Sequence, residues 1–354
     1  MAINSAPIAS VDPESLVTEV IPFTADDGMA LNLHRVRGPR EPSRGPVVLV
    51  HGAGVRGDIF RAPEPVNIVN ALVADGWDVW LENWRASIEV TPNPWDLDQA
   101  AVFDHPAAVR HILAATGAKS LKALIHCQGS SSFAYSAVSG LLPEVDTIVS
   151  NAMSLHPIVP SWSRFKLNHV VPRLTTALPY VNPHWGAQPP RRWLERALVQ
   201  LVRLTHLECH NDVCKLVSFI YGSGRPALWR HENLSAATHE WLKNEFGPVP
   251  LTFFGHMAKC VRMGKLMPLG KVTGLPPDPL GGPPATTARF VLLAGELNRC
   301  FLPESQHKTF EYLDFYQPGC HRVRDLPGYG HLDVFMGRYA ARDTFPLILE
   351  ELAT

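Results

Sequence analysis

The stretch ALIHCQGSSSF, residues 123–133, joins an apolar run long enough for a buried strand to small residues that can open a helix. A cysteine stands at the corner. A side chain mounted on a sharp strand-to-helix turn projects above the carboxyl edge of a sheet, and its neighbours must be small because the backbone there is crowded. The usual spelling of such a corner is G-x-S-x-G; here it is Ile125-His126-Cys127-Gln128-Gly129, with Cys127 in the serine position. Ile125 is bulky where glycine or alanine is normal, so either the turn opens slightly or its neighbours recede. Ser130, Ser131 and Ser132 lack the corner position and are read as the first turn of the helix.

Cysteine suits that corner chemically. The thiolate is the reactive form, and a helix N-terminus with a nearby imidazolium lowers its pKa below the usual value of about 8.5.

Outward from the corner, the chain alternates strand and helix patterns. Apolar alternation on both sides of Asp26-Asp27-Gly28 predicts a hairpin over 18–37, after a loose arm at 1–17. PVVLVHGAG (46–54) predicts a strand buried on both faces. NIVNALVADG predicts a helix with Gly76 near its C-cap, WDVWLENW a strand, and DLDQAAVFDHPAAVRHILAATG a helix ending at Gly117. LKALIHC and TIVSNAM follow as strands. From 157 to 287 the rhythm breaks into a segment rich in Pro, Trp and His, with PPDPLGGPP (276–284) as its closing linker; ARFVLLAGEL, SQHKTFEYL, HRVRDLP and a final helix resume the alternation. The expected architecture is an α/β core over 18–156 and 288–354, mostly parallel in its sheet with helices on both faces, and a helical cap inserted at 157–287.

Three further parts of a nucleophilic site can be named, and nucleophile, orienting residue and histidine fall in that chain order. His331, in the glycine-rich loop Pro327-Gly-Tyr-Gly-His-Leu-Asp333 after the last strand, is the expected general base. In Gly295-Glu-Leu-Asn298, the residue expected to orient the imidazole is Asn298, with Glu296 as the alternative; a Cys-His-Asn set holds the tautomer without added charge. Asp333 is a candidate brace for the histidine loop. In His51-Gly52-Ala53-Gly54, the N–H of Ala53, with that of Gln128, is positioned to form an oxyanion hole. His51, His126, His256 and Met257 are the candidate substrate contacts, His126 as a neighbour of the nucleophile and the last two on a helix that could roof the pocket.

Composition narrows the partner. The 354 residues include 32 basic and 33 acidic side chains, a net charge of −1, and no long run of one sign, so no electrostatic footprint for nucleic acid or an anionic membrane is present. No integral membrane segment or leader pattern is found, and a cytoplasmic protein is expected. Six cysteines scattered over a chain of this length predict free thiols. His206, Cys209, His210 and Cys214 invite a zinc reading, with 206, 210 and 214 on one helical face; cap packing is preferred, and neither a metal nor a cofactor is expected. RRWLERALVQLVRL is amphipathic and is read as a lid helix.

These segments resemble the α/β-hydrolase superfamily. DLDQAAVFDHPAAVRHILAATGAKSLKALIHCQGS (96–130), with its Asp-x-Pro helix before the corner, and GYGHLDVFMG (328–337) are similar to acid-lipase-like hydrolases. The HCQGS corner, GELNRCFLPES and the Cys209–Cys214 stretch running on to FIYGSG resemble the hydrolase module associated with cholesterol-oxidase-like flavoproteins. VWLENWRAS (79–87) and the cysteine corner also resemble poly(hydroxyalkanoate) synthases, which carry an aspartate where this chain has Asn298. The resemblance implies a hydrolase core under a lid, acting on a hydrophobic carboxylic ester or lactone through a thioester. The alternatives are transfer of an acyl group to another acceptor and a fold that binds a hydrophobic ligand without turnover. Acyl length, ring type and oligomeric state are not legible in the sequence.

Overall fold

A computed structural model describes residues 8–175 and 177–354. Strands β1 (Val17–Thr24) and β2 (Ala30–Arg37) pair antiparallel across a turn in which Gly28 takes φ +88°. β3 (Pro46–Val50), β4 (Asp78–Asn83), β5 (Leu121–His126) and β6 (Val145–Asn151) continue the sheet. Two-residue strands β7 (Tyr180–Val181) and β8 (Val249–Pro250) pair only with each other. β9 (Arg289–Gly295) and β10 (Arg322–Leu326) complete an eight-stranded sheet of order β1-β2-β4-β3-β5-β6-β9-β10, parallel from β4 to β10. Every residue of β3 and β4 is buried, as strands covered by helices on both faces require.

The expected strands and helices fall within a few residues of their forecast places. The arm differs: among its described residues, Ile8 and Leu16 pack against the core and the Val11 N–H donates to the Asn70 carbonyl. Residues 1–7 of that arm lie outside the described part of the chain.

The helix leading to the corner contains a second departure. It runs over His105–Thr116, with Pro106 in its first turn and Gly117 closing it at φ +70°, and residues 100–104 before it form a π turn. That wider turn directs consecutive side chains inward. Asp104 accepts from the Arg85 Nε at 2.8 Å, while His105 lies between Glu82 (2.8 Å) and the Ser132 hydroxyl (2.7 Å). The Asp-His-Pro motif is thereby joined to both the Trp84-Arg85 segment and the helix behind Cys127.

The segment between β6 and β9 carries the helices Trp193–Thr205, Asp212–Tyr221, Ala236–Trp241 and Leu251–Met263. Its Trp229, Phe246 and Phe253 belong to the same continuous core as the sheet residues, so it is packed into the body of the molecule. On Trp193–Thr205, Val199 and Val202 are buried while Trp193, Leu201 and Leu204 face solvent, so apolar residues occupy both sides. No helix among the described residues is long and apolar enough to cross a membrane.

Replacing Asp104 by Ala strands the buried Arg85 guanidinium, whose remaining carboxylate partner is the part-exposed Asp27. Urea unfolding of Asp104→Ala is expected to give a stability loss of about 3–5 kcal/mol. A loss below about 1 kcal/mol would show that this ion pair does not hold the π turn in place.

Candidate active site

β5 ends at His126 and the helix Cys127–Val138 begins on the next residue. Cys127 takes φ +56°, a left-handed conformation that a residue with a Cβ adopts only under constraint from its surroundings. Two close approaches supply it. A Cβ on Gly129 would lie 2.1 Å from the His51 carbonyl oxygen, and one on Gly52 would lie 2.9 Å from Cys127 Cβ and 3.3 Å from its Sγ. The corner is thus pressed against the loop after β3 at two points where only glycine fits. Ile125 is fully buried, in register with Val50 on one side and Ser150 on the other. Its register partner on β6 is thus a small residue, and the Ser150 hydroxyl is hydrogen-bonded to Ser130.

Ser131 donates its hydroxyl to the Cys127 carbonyl, Ser132 to that of Gln128, and Ser130 is bound to Ser150, so all three serines are engaged within the helix and its supports. Cys127 is the residue at the corner that lines the cleft. Gln128 joins it there, together with Val159, Val171, Phe253, Phe254 and Met257.

His331 arrives from the loop after β10. One ring nitrogen of His331, one of His126 and Cys127 Sγ all lie within 4.8 Å of one another, and the two imidazole centroids are 4.7 Å apart. The loop is held through its backbone. His331 N–H donates to the Leu228 carbonyl at 3.0 Å, and its carbonyl accepts from Asn151 Nδ2 at 2.8 Å. Asp333 accepts from the Gly330 N–H at 2.8 Å and from Asn233 Nδ2 at 2.7 Å, bracing the loop from outside; burial pushes its carboxyl up to about 6. The same Asn151 amide donates to His126 Nδ1, leaving the ring proton of His126 on Nε2.

The expected orienting bond is not made. Asn298 turns its Oδ1 back to accept the Cys300 N–H at 2.9 Å, Glu296 accepts from the Gly328 N–H at 3.1 Å, and both ring nitrogens of His331 lack a hydrogen-bond partner among the described residues. An asparagine beside a tight turn satisfies the local backbone donor first.

Two expected substrate contacts are also corrected. His51 is fully buried beneath the corner, its Nδ1–H donating to the Gly52 carbonyl, and burial lowers its pKa to about 4. His256 spends both nitrogens on the backbone, accepting from Leu97 N–H and donating to the Met267 carbonyl, so neither is free for a ligand. His126 and Met257 do line cavities beside Cys127.

The Ala53 N–H has no partner among the described residues, and its carbonyl accepts the Tyr221 hydroxyl at 3.0 Å. Tyr221 and Cys300, both lining the cleft, were not singled out from sequence. Cys300 had a signal in its position two residues past Asn298; Tyr221, 94 positions beyond Cys127, had only its place in the FIYGSG stretch.

Burial works against ionising Cys127, but the Cys300 thiol, His331 and the Gln128 N–H outweigh it and hold Cys127 well below the ordinary thiol range. The hydrogen bond to Cys127, together with burial, keeps Cys300 protonated, far above that range. A depressed pKa means the thiolate persists above that value and is lost only as pH falls through it. Alkylation by iodoacetamide, followed at the Cys127 peptide by mass spectrometry, is therefore expected to stay near its plateau as pH falls from 8.5 to 7, where an ordinary thiol slows more than about tenfold. A tenfold decline at Cys127 over that range would contradict the electrostatic assignment.

No protein-family model matches the chain. Among curated proteins, it is 30% identical over 155 residues to Lipase 1 of Drosophila melanogaster, covering 40% of this chain and 34% of that one. It is 25% identical over 158 residues to sterol esterase 2 of Saccharomyces cerevisiae (37% and 29%) and 29% identical over 179 residues to lipase member K of Homo sapiens (44% and 44%). The matches thus span less than half the length of these relatives. Among solved structures, a putative lipase from Sulfolobus solfataricus aligns with a TM-score of 0.60 at 13% identity, over 99% of this chain and 97% of that one. A thermophilic esterase from Thermogutta terrifontis aligns with 0.55 at 14%, over 95% and 100%. Such likeness speaks to architecture, and with a sheet of this order turning into its helix at a strained residue after β5, the chain has the α/β-hydrolase fold.

Proposed function

We propose that this chain is an enzyme that hydrolyses a hydrophobic carboxylic ester or lactone, with Cys127 as nucleophile and a thioester as intermediate. The observation that carries the proposal is a sulfur atom at a strained corner, with an imidazole nitrogen within 4.8 Å and an apolar cleft in front of it. The segment 157–287 acts as the cap that roofs this cleft and keeps bulk water from the acyl group. The names of the curated relatives, lipases and a sterol esterase, agree with an apolar ester as substrate. A reducing compartment such as the cytoplasm suits six cysteines that are all unpaired.

In the first half-reaction the Cys127 thiolate attacks the carbonyl carbon, and the oxyanion gathers the N–H groups of Ala53 and Gln128. His331 in its imidazolium form gives its proton to the leaving alkoxide, and the thioester remains. Water then attacks; His331 takes one of its protons, the C–S bond breaks, and the carboxylic acid leaves and loses its remaining proton to solvent, with the thiolate and imidazolium restored. A thiolate–imidazolium pair is ionised before substrate arrives, which makes a third, orienting residue less necessary. Cys127 and His331 therefore work as a dyad, with the His331 ring positioned by its backbone bonds.

Intact-mass detection of an acyl adduct after mixing with p-nitrophenyl esters of graded chain length, followed by repeated turnover, is the direct test. Adduct without turnover would instead assign a ligand-binding role, and product appearing only with an added alcohol or thiol acceptor would assign acyl transfer. Cys127→Ala and His331→Ala are each expected to reduce kcat/KM by at least about a thousandfold. Asn298→Ala, which removes a turn contact, is expected to remain within about tenfold of the parent; a loss matching that of His331→Ala would restore Asn298 as the orienting residue.

A further inference from the structure

Away from the cleft, the cap brings together four side chains with metal-ligand chemistry. Cys209 and Cys214 flank the start of helix Asp212–Tyr221, His231 opens the short turn His231–Asn233, and His239 lies on helix Ala236–Trp241. One ligand atom from each of the four lies within 4.8 Å of all the others. Cys214 Sγ stands 3.4 Å from His231 Nε2, and the rings of His231 and His239 have centroids 5.0 Å apart at 82°. Around a tetrahedral zinc with bonds of about 2.3 Å to sulfur and 2.0–2.1 Å to nitrogen, the sulfur-to-nitrogen edge is about 3.6 Å. The cluster is therefore already near the size of that coordination shell. His239 Nε2 is buried with no hydrogen-bond partner among the described residues, as a ligand nitrogen is before its metal binds.

This is a different set from the one the sequence suggested. Helix Trp193–Thr205 ends before His206 and the next begins at Asp212, so residues 206, 210 and 214 do not share a helical face. His206 packs edge-on against Phe219. The histidines that do converge come from 17 and 25 residues beyond Cys214, brought back by the chain reversal between the two helices.

We propose that Cys209, Cys214, His231 and His239 form a structural zinc site. Two thiolates and two neutral imidazoles balance the charge of Zn2+ and fill four positions, leaving none open for substrate, which is the pattern of a structural centre. Its surroundings are built to hold the ligands. Asn211 Oδ1 accepts from the N–H groups of Val213 and Cys214, and its Nδ2 donates to the His239 carbonyl at 2.7 Å, so one amide ties the cysteine turn to the histidine helix.

The site lies on two cap segments that reach the core machinery. Tyr221, at the far end of the helix begun at Asp212, donates to the Ala53 carbonyl. Just before His231, the Leu228 carbonyl accepts from both His331 and Leu332, and the Arg230 N–H donates to Asp333. A metal that fastens these segments together keeps the cap registered on the core. Metal binding itself does not depend on the ester-hydrolase reading.

The test uses the full chain purified in metal-free buffer. Elemental analysis after zinc addition and gel filtration is expected to find about one zinc per chain, and Co2+ in its place to give the visible bands and thiolate-to-metal charge transfer of a tetrahedral sulfur-ligated site. Cys214→Ser and His239→Ala should each lose that spectrum, and stripping zinc from the parent should lower its melting temperature by at least about 5 °C. A parent chain that takes up no stoichiometric metal, shows no sulfur-ligated Co2+ spectrum, or carries a Cys209–Cys214 disulfide would overturn the proposal without recourse to any variant. So would folded His239→Ala retaining the unaltered Co2+ spectrum.

Discussion

The left-handed corner at Cys127 is the constraint from which the rest of the site follows. A residue with a Cβ is held at φ +56° because the helix behind it is driven onto β3, close enough that Gly129 and Gly52 admit no side chain. That pressure lifts Sγ off the sheet edge, turns the N–H of Gln128 toward it, and brings the loop of Ala53 alongside. Relaxing the corner by a few tens of degrees would move the sulfur, the N–H groups of Ala53 and Gln128 and the helix N-terminus together, since all three are mounted on the same contact.

The corner is buttressed from beneath by polar groups carried inside an apolar core. Arg85–Asp104 and the chain Glu82–His105–Ser132 link β4, the π turn and the helix that starts at Cys127. Hydrogen bonds of this kind specify one arrangement among many similarly apolar ones, because any other leaves a buried charge or donor without a partner. The bulky Ile125 lies within this frame with the small Ser150 as its register partner on β6.

The segment between β6 and β9 is joined to the same machinery by polar bonds. Tyr221 anchors the Ala53 loop, Leu228 and Arg230 hold the His331 loop, and both anchors lie on segments that converge at the Cys209–Cys214–His231–His239 cluster. Cys127 and His331 thus rest on the core, whereas the loops around them are steadied from above. Asp333 and Asn151 complete that support by fixing the backbone on either side of His331, which explains how an imidazole with no hydrogen bond on its ring still has a defined position.

Much of this was legible in the chain itself. Periodicity marked the hairpin, the buried strands and the break at 157, and the spacing around Ile125–Gly129 marked the corner, because strand, turn and helix signals are local and each reaches only a few residues. His331 was found for the same reason, from a glycine-rich loop after a recognisable strand. Tertiary structure alone decided that Asn298 turns to Cys300, that His51 and His256 are absorbed by backbone bonds, and that Tyr221 reaches Ala53. It also decided which histidines meet Cys209 and Cys214. Those outcomes depend on where a side chain finds its nearest donor once distant segments have packed, and no pattern within a few residues carries that distance.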